Sequence, residues 1–283
     1  MLDSGKRRRI VSACVVGFCA LSVGLALLPL GLLLFFVVSQ GLPALTMSFF
    51  THLPKPVGET GGGMANAIVG SLTLIGLAAL IAVPIGVISG IYLSEYRGSR
   101  LSSAVRFSAD VLNGVPSIVV GIFAYVVVVM PMGRFSAIAG GVALGVMMIP
   151  IIVRTTEELL KLVPRTLRDG ALALGATRAR AVLTVIVPAA IPGIVTGILV
   201  ALARIAGETA PLLFTALNNQ FWAHGLDQPI ASLTVQVYTY AISPYDDWHR
   251  QAWAGATVLI GAILLFSLLA RFVTRRLERM PRA

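Results

Sequence analysis

Residues 136–153 read SAIAGGVALGVMMIPIIV, and residues 154–188 continue RTTEELLKLVPRTLRDGALALGATRARAVLTVIVP. The first stretch holds no charged residue and is close to the ~20 apolar residues that a membrane-spanning helix needs. The second carries six Lys/Arg: Arg154, Lys161, Arg165, Arg168, Arg178 and Arg180. An apolar run that empties into a basic loop predicts a helix leaving the membrane on the cytoplasmic side.

The same alternation runs along the whole chain. Spans are expected at about 10–38, 64–93, 107–130, 136–153, 189–217 and 252–273. Of the 283 residues, 57% are hydrophobic and 12% are charged, against about 25% charged in an average soluble domain. Too little polar surface remains to cover a water-soluble globule, so the bilayer must serve as solvent. A net charge of +10 would point to nucleic acid in a soluble domain. Here the basic residues sit in short clusters between apolar runs, and they read as topology signals.

With the Lys6–Arg9 cluster inside, six spans put both termini in the cytoplasm. Cytoplasmic segments then hold eighteen Lys/Arg, and the opposite side holds only Lys55, Arg134 and Arg250. That asymmetry follows the positive-inside rule. The first apolar run is near 29 residues, far beyond the ~7–15 of a signal-peptide core, so a retained anchor is expected. Cys14 and Cys19 lie inside it and read as packing residues. His52, His224 and His249 all fall outside the spans, and no metal site is predicted. Glycines four apart, at Gly86/Gly90, Gly141/Gly145 and Gly193/Gly197, predict close helix contacts inside the bundle. Pro84, Pro116, Pro188 and Pro192 should kink or end helices, and the run Asn113–Ser117 should break a span.

Between spans four and five, residues 166–181 predict one amphipathic helix lying across the cytoplasmic face. Leu167, Ala171, Leu174 and Arg178 share its stripe. Gly175 is awkward there, costing about 1 kcal/mol relative to alanine. It makes sense where a turn is needed or another protein approaches.

Span five contains Arg204 and Glu208, four apart and so expected on one helix face. A charge at a helix centre costs roughly 2.5–3.5 kcal/mol on insertion scales, and a pair 4 Å apart recovers about 4 kcal/mol at an effective dielectric near 20. Stability alone is a poor reason to keep both. Two readings stand: Arg204 offers a fork of donors to a passing oxyanion with Glu208 balancing it, or the pair braces helices. Farther on, residues 218–250 predict a helix at the outer interface. There Tyr238, Tyr240, Tyr245, Trp248 and Trp253 suit an aromatic belt, with docking of an external protein as the other reading.

The loop resembles that of ABC importer permeases, whose pattern is E-A-A, three residues, G, nine residues, then I-x-L-P. This chain has Asp169-Gly170-Ala171, three residues, Gly175, nine residues, then Val185-Ile186-Val187-Pro188. The departures are Asp for Glu, Gly for Ala, and Val for Ile and Leu. A second resemblance lies in Arg204 followed by GETAPLLFTA (207–216), in Gly61–Met64, in Gly114–Val119 and in the stretch 231–253. Together these are similar to the A-type permease family of phosphate-specific ABC importers, over nearly the whole chain.

The resemblance implies an all-α membrane protein with the ABC importer type I permease fold. Its six transmembrane helices would carry a cytoplasmic coupling helix between spans four and five. It implies that Asp169, Gly170, Ala171, Gly175 and Pro188 meet a cytoplasmic ATPase, and that Arg204, Glu208 and Thr209 line the substrate path. The implied partners are a C-type permease subunit, an ATPase dimer that binds the ATP, an extracytoplasmic phosphate-binding protein and membrane lipid. Residues 1–63 would form the N-terminus, anchor and outer loop, 64–273 the permease core with its coupling loop at about 154–188, and 274–283 a basic tail.

The chain has no G-x-x-x-x-G-K-[ST] loop, so a transport subunit without its own ATPase site is expected. No nucleic-acid partner and no cofactor of its own are expected either. The location is the inner or plasma membrane of a prokaryote. A different oxyanion or small solute is the alternative cargo. A secondary anion transporter would need a coupling-ion site and matching halves. An intramembrane enzyme would need a nucleophile or metal ligands within the spans; neither pattern is present.

Overall fold

The structure is a computed structural model that describes residues 4–59 and 61–279. All regular structure among them is helical. Helices α1 (Ser4–Gly41), α2 (Ala65–Glu95), α3 (Arg100–Gly114) and α4 (Ser117–Met132) are followed by α5 (Ala137–Leu162) and α6 (Arg165–Ala173). Then come α7 (Arg178–Ile205), α8 (Ala210–Leu213), α9 (Leu233–Ala241) and α10 (Asp246–Arg279). The expected basic tail falls partly on α10, and 280–283 lie outside the described residues. Among the described residues α1, α2, α5, α7 and α10 are long and apolar enough to cross a membrane, and the bent pair α3–α4 makes a sixth span when the two are counted as one.

Helix α5 is the centre of the bundle. Gly86 and Gly90 of α2 press on it so closely that a Cβ would lie 2.7 Å from Ile152 and 2.6 Å from Thr156. On the other side, Gly193 and Gly197 of α7 sit against Leu159 and Thr155, each 2.8 Å from a would-be Cβ. The small-residue pairs are thus packing surfaces, as van der Waals association in lipid requires. Leu74, Ala78, Leu144, Met148, Ile152, Ala201 and Ile205 form the core that these approaches seal. Helix α1 is different. It is exposed along nearly its whole length and touches α10 at one end, through Phe36 edge-on to Trp253 (5.3 Å) and Thr257 Oγ1 donating to the Val37 carbonyl (3.1 Å).

Three expectations are corrected. The third span begins at Arg100 rather than near 107, and it breaks within the Asn113–Ser117 run as expected, into two helices at 107°. Pro116 has no N–H to continue the helix and forces the preceding residue out of the α region; Val115 adopts φ −72°, ψ 129°. The fifth span does not run to 217 but ends at Ile205. With Gly207 in the next turn and Pro211 unable to donate, the chain leaves the helix and folds back into the bundle. There the carbonyls of Thr215, Gln228 and Leu226 accept from the N–H groups of Ser136, Ala137 and Ile138 at 3.0 Å each, satisfying donors that a helix start leaves free.

The third correction concerns the outer segment. Helix α9 is not a surface helix but packs into the bundle. Leu233, Thr234, Val235, Gln236 and Tyr240 are buried, and the Ala231 carbonyl comes so near Gly70 that any side chain there would clash. Tyr240 leaves the expected belt and stacks on Trp248, ring centroids 4.4 Å apart. Trp253 packs on Phe36, while Tyr238 and Tyr245 remain exposed.

Candidate functional site

The expected helix over 166–181 is two helices, and the break falls at Gly175. Helix α6 ends with Gly175 at φ +83°, its N–H donating to the Leu172 carbonyl (2.9 Å) and that of Ala176 to the Ala171 carbonyl (3.1 Å). This pair of bonds is a Schellman cap, whose left-handed residue is most often glycine because it has no Cβ to clash. The next helix starts at once, with Thr177 Oγ1 accepting from the Arg180 N–H (3.3 Å).

A sharp, exposed corner results. Leu174 stands at its tip, 90% exposed, and Asp169, Gly170, Gly175 and Pro188 are also exposed, with Ala171 half-buried. Gly170 lies inside α6, yet a Cβ there would meet nothing within 4 Å. No contact within the chain explains that glycine. Pro188 sits two residues past a wide turn over Val182–Ile186, where the i→i+4 ladder opens to i→i+5.

Among the described residues, one ion pair ties the corner to the bundle. Arg168 Nη1 donates to Glu95 Oε2 at 3.0 Å, and its Nη2 meets Oε1, a bidentate clamp between α6 and the last residue of α2.

Arg204 and Glu208 do not share a helix face, because α7 ends between them. Arg204 stands exposed in the last turn of α7. Glu208 follows in a turn in which its N–H donates to the Ile205 carbonyl (3.1 Å) and its carbonyl accepts from Thr234 Oγ1 (3.0 Å). Thr209 caps α8, its carbonyl accepting from the Leu212 N–H at 3.1 Å. No ion pair joins Arg204 and Glu208 among the described residues. The residues remain neighbours in a half-exposed corner, with Arg204 presented to whatever lies beyond this chain.

A charged cluster that the sequence reading missed lies near the α6 end of the bundle. The Glu157 side chain is fully buried. Its Oε1 accepts from Arg106 Nε (3.1 Å) and Nη2 (2.6 Å) and pairs with Lys161 Nζ (2.6 Å), and its Oε2 accepts from Arg154 Nη1 (3.1 Å). Arg154 also holds Asp110. Three cations around one buried carboxylate fix α3 against α5. The signal was present: Glu157 is three residues after Arg154 and four before Lys161. Ending the span at 153 placed all three in a loop, whereas α5 runs to Leu162. Among the described residues no group of three or more His, Cys, Asp or Glu is placed to hold a metal ion.

Residues 82–282 match the family described as "Binding-protein-dependent transport system inner membrane component". The chain is 48% identical over 242 residues to the phosphate transport system permease protein PstA of Yersinia pestis, covering 85% of this chain and 82% of that one. It is 43% identical over 265 residues to PstA of Haemophilus influenzae, covering 93% and 94%. Among solved structures, a chain of a bacterial ABC transporter that imports the polysaccharide alginate superposes with a TM-score of 0.62 at 16% identity, over 96% of both chains. One of the inward-facing MetNI methionine ABC transporter gives 0.59 at 20% identity, over 77% and 95%. The fold is therefore that of ABC importer permeases, and the chain belongs to the PstA family of binding-protein-dependent inner membrane transport components.

Proposed function

We propose that this chain is the permease subunit of an ATP-driven importer that carries inorganic phosphate into the cytoplasm. The observation that carries the proposal is the exposed α6 corner, with Gly170 and Gly175 open on a loop clamped to the bundle, in a chain whose relatives are phosphate permeases. An ATPase dimer is the partner for that corner. A glycine with no neighbour in its own chain is accounted for by a neighbour in another. Movement at the corner then has two routes inward: through Arg168–Glu95 into α2, and along α7 to Arg204.

Arg204 is read as the anion's ligand, with Glu208 and Thr209 beside it. It is exposed on this chain, and a second, C-type permease completes the path. A phosphate-binding protein delivers the anion from outside. The α6 corner and both termini face the cytoplasm, and the basic residues support that orientation. Reporter fusions active only outside the cytoplasm should work near residues 55, 134 and 220 and stay silent near 100, 170 and 280. Activity near 170 overturns the orientation.

Deleting the chain should abolish ATP-driven phosphate uptake, and restoring it should recover uptake. In the restored strain, Gly175→Asp should insert normally yet lose uptake and co-purification of the ATPase. Gly175→Asn tolerates the left-handed backbone without adding charge, and it should keep most of both. Normal uptake by Gly175→Asp with the ATPase bound removes the coupling role.

A further inference from the structure

At the α6 end of the bundle a cavity of about 290 Å³ opens between the ends of α2 and α5 and the start of α6. Four basic side chains line it, Arg97, Lys161, Arg165 and Arg168, against the carboxylates of Glu95 and Asp169. Two of the four are committed: Arg168 to Glu95 and Lys161 to Glu157. Arg97 spends only its Nε, on the Ser94 carbonyl at 3.2 Å, and Arg165 has no ion pair among the described residues. The positive-inside rule asks only that basic residues lie on this side of the membrane. It does not ask that four of them, from three elements, converge on one cavity with two forks left open. The first turn of α6 opens on the same space, where a helix start favours negative charge.

We propose that this cavity is an anion site for a phosphate group, held by Arg97 and Arg165 and framed by the Arg168–Glu95 clamp. A guanidinium fork matches two phosphate oxygens at once, and the cavity has two such forks open. Two sources have this chemistry on that side: free inorganic phosphate and the headgroup of an anionic phospholipid. Because Arg168 is both the clamp and a wall of the cavity, occupation stiffens the seat of α6. The site does not require phosphate to be the cargo, and neither fork belongs to the corner around Arg204.

The test is equilibrium binding of labelled inorganic phosphate to the full chain in lipid-free detergent, with and without the ATPase partner. An Arg204→Gln background removes the other arginine of interest. Arg97→Gln with Arg165→Gln should weaken binding about tenfold, or about 1.4 kcal/mol. Arg97→Lys with Arg165→Lys keeps the charge, loses the forks and should fall between. Repeating the titration in phosphatidylcholine and in phosphatidylglycerol nanodiscs separates the sources. Displacement by phosphatidylglycerol alone assigns the site to a lipid headgroup, and equal binding in both assigns it to free phosphate. An unchanged affinity in the double Gln variant overturns the proposal. So does binding that vanishes when the ATPase is added, since the cavity is then part of the docking surface.

Discussion

Phosphate uptake by the Arg204→Gln, Glu208→Gln double variant should fall to background while the protein still inserts and assembles. The reasoning is sharper for the observed geometry than for a paired helix face. If the two side chains only neutralised one another, removing both charges would remove the problem and transport would survive. They form no ion pair within the chain, and α7 ends between them, so mutual neutralisation within the subunit is already a poor account of Arg204. As an anion ligand, Arg204 loses its charge-assisted donors in the double variant, and no second change restores them. Arg204→Lys keeps the charge without the bidentate fork and should transport slowly with normal assembly. Uptake by the double variant near the unmodified level overturns the ligand role and leaves Arg204 as a brace to the partner subunit.

The Glu157→Gln variant should be the most damaging single change to stability. Removing one partner of a buried ionic cluster costs about 3–5 kcal/mol, because it leaves buried charge uncompensated. Arg106 and Lys161 have no other ion-pair partner among the described residues, whereas Arg154 keeps Asp110. The expected result is a lower yield of folded protein and an earlier thermal transition in detergent, with α3 released from α5. Asp110→Asn, at the exposed edge of the same cluster, should be far milder. Equal melting of Glu157→Gln and the unmodified protein overturns the account.

Hydropathy located the five long apolar helices and the bent pair α3–α4 because it measures transfer out of water, and every crossing helix needs that. It could not distinguish lipid from protein interior. Residues 206–217 and α9 are apolar because they fold into the bundle, so a hydropathy reading extends α7 past its end and lays α9 on the interface. In α3 the outward side chains are Leu101, Phe107 and Val111, while Arg106 faces inward. Apolar and polar residues are therefore mixed on the exposed face, and sequence periodicity does not say which face is which.

The resemblance of the loop to the ABC importer pattern was legible because its glycine spacing is local. The reason for Gly175, a left-handed cap, was open in the sequence between a turn and an approach by another protein. The positions of Arg204 and Glu208 were legible, but their relation was not. It depends on where α7 stops, and two residues, Gly207 and Pro211, decide that.

Helix α1 raises a matter of bilayer thickness. Its 38 residues would reach about 57 Å at 1.5 Å per residue, and its apolar stretch alone exceeds a hydrocarbon core of about 30 Å. A helix too long for its bilayer tilts or slides at little cost. With only its far end resting on α10, α1 can do so without disturbing the core around α5. Differences in membrane thickness would then be absorbed at the periphery of the bundle, with the core around α5 left in place.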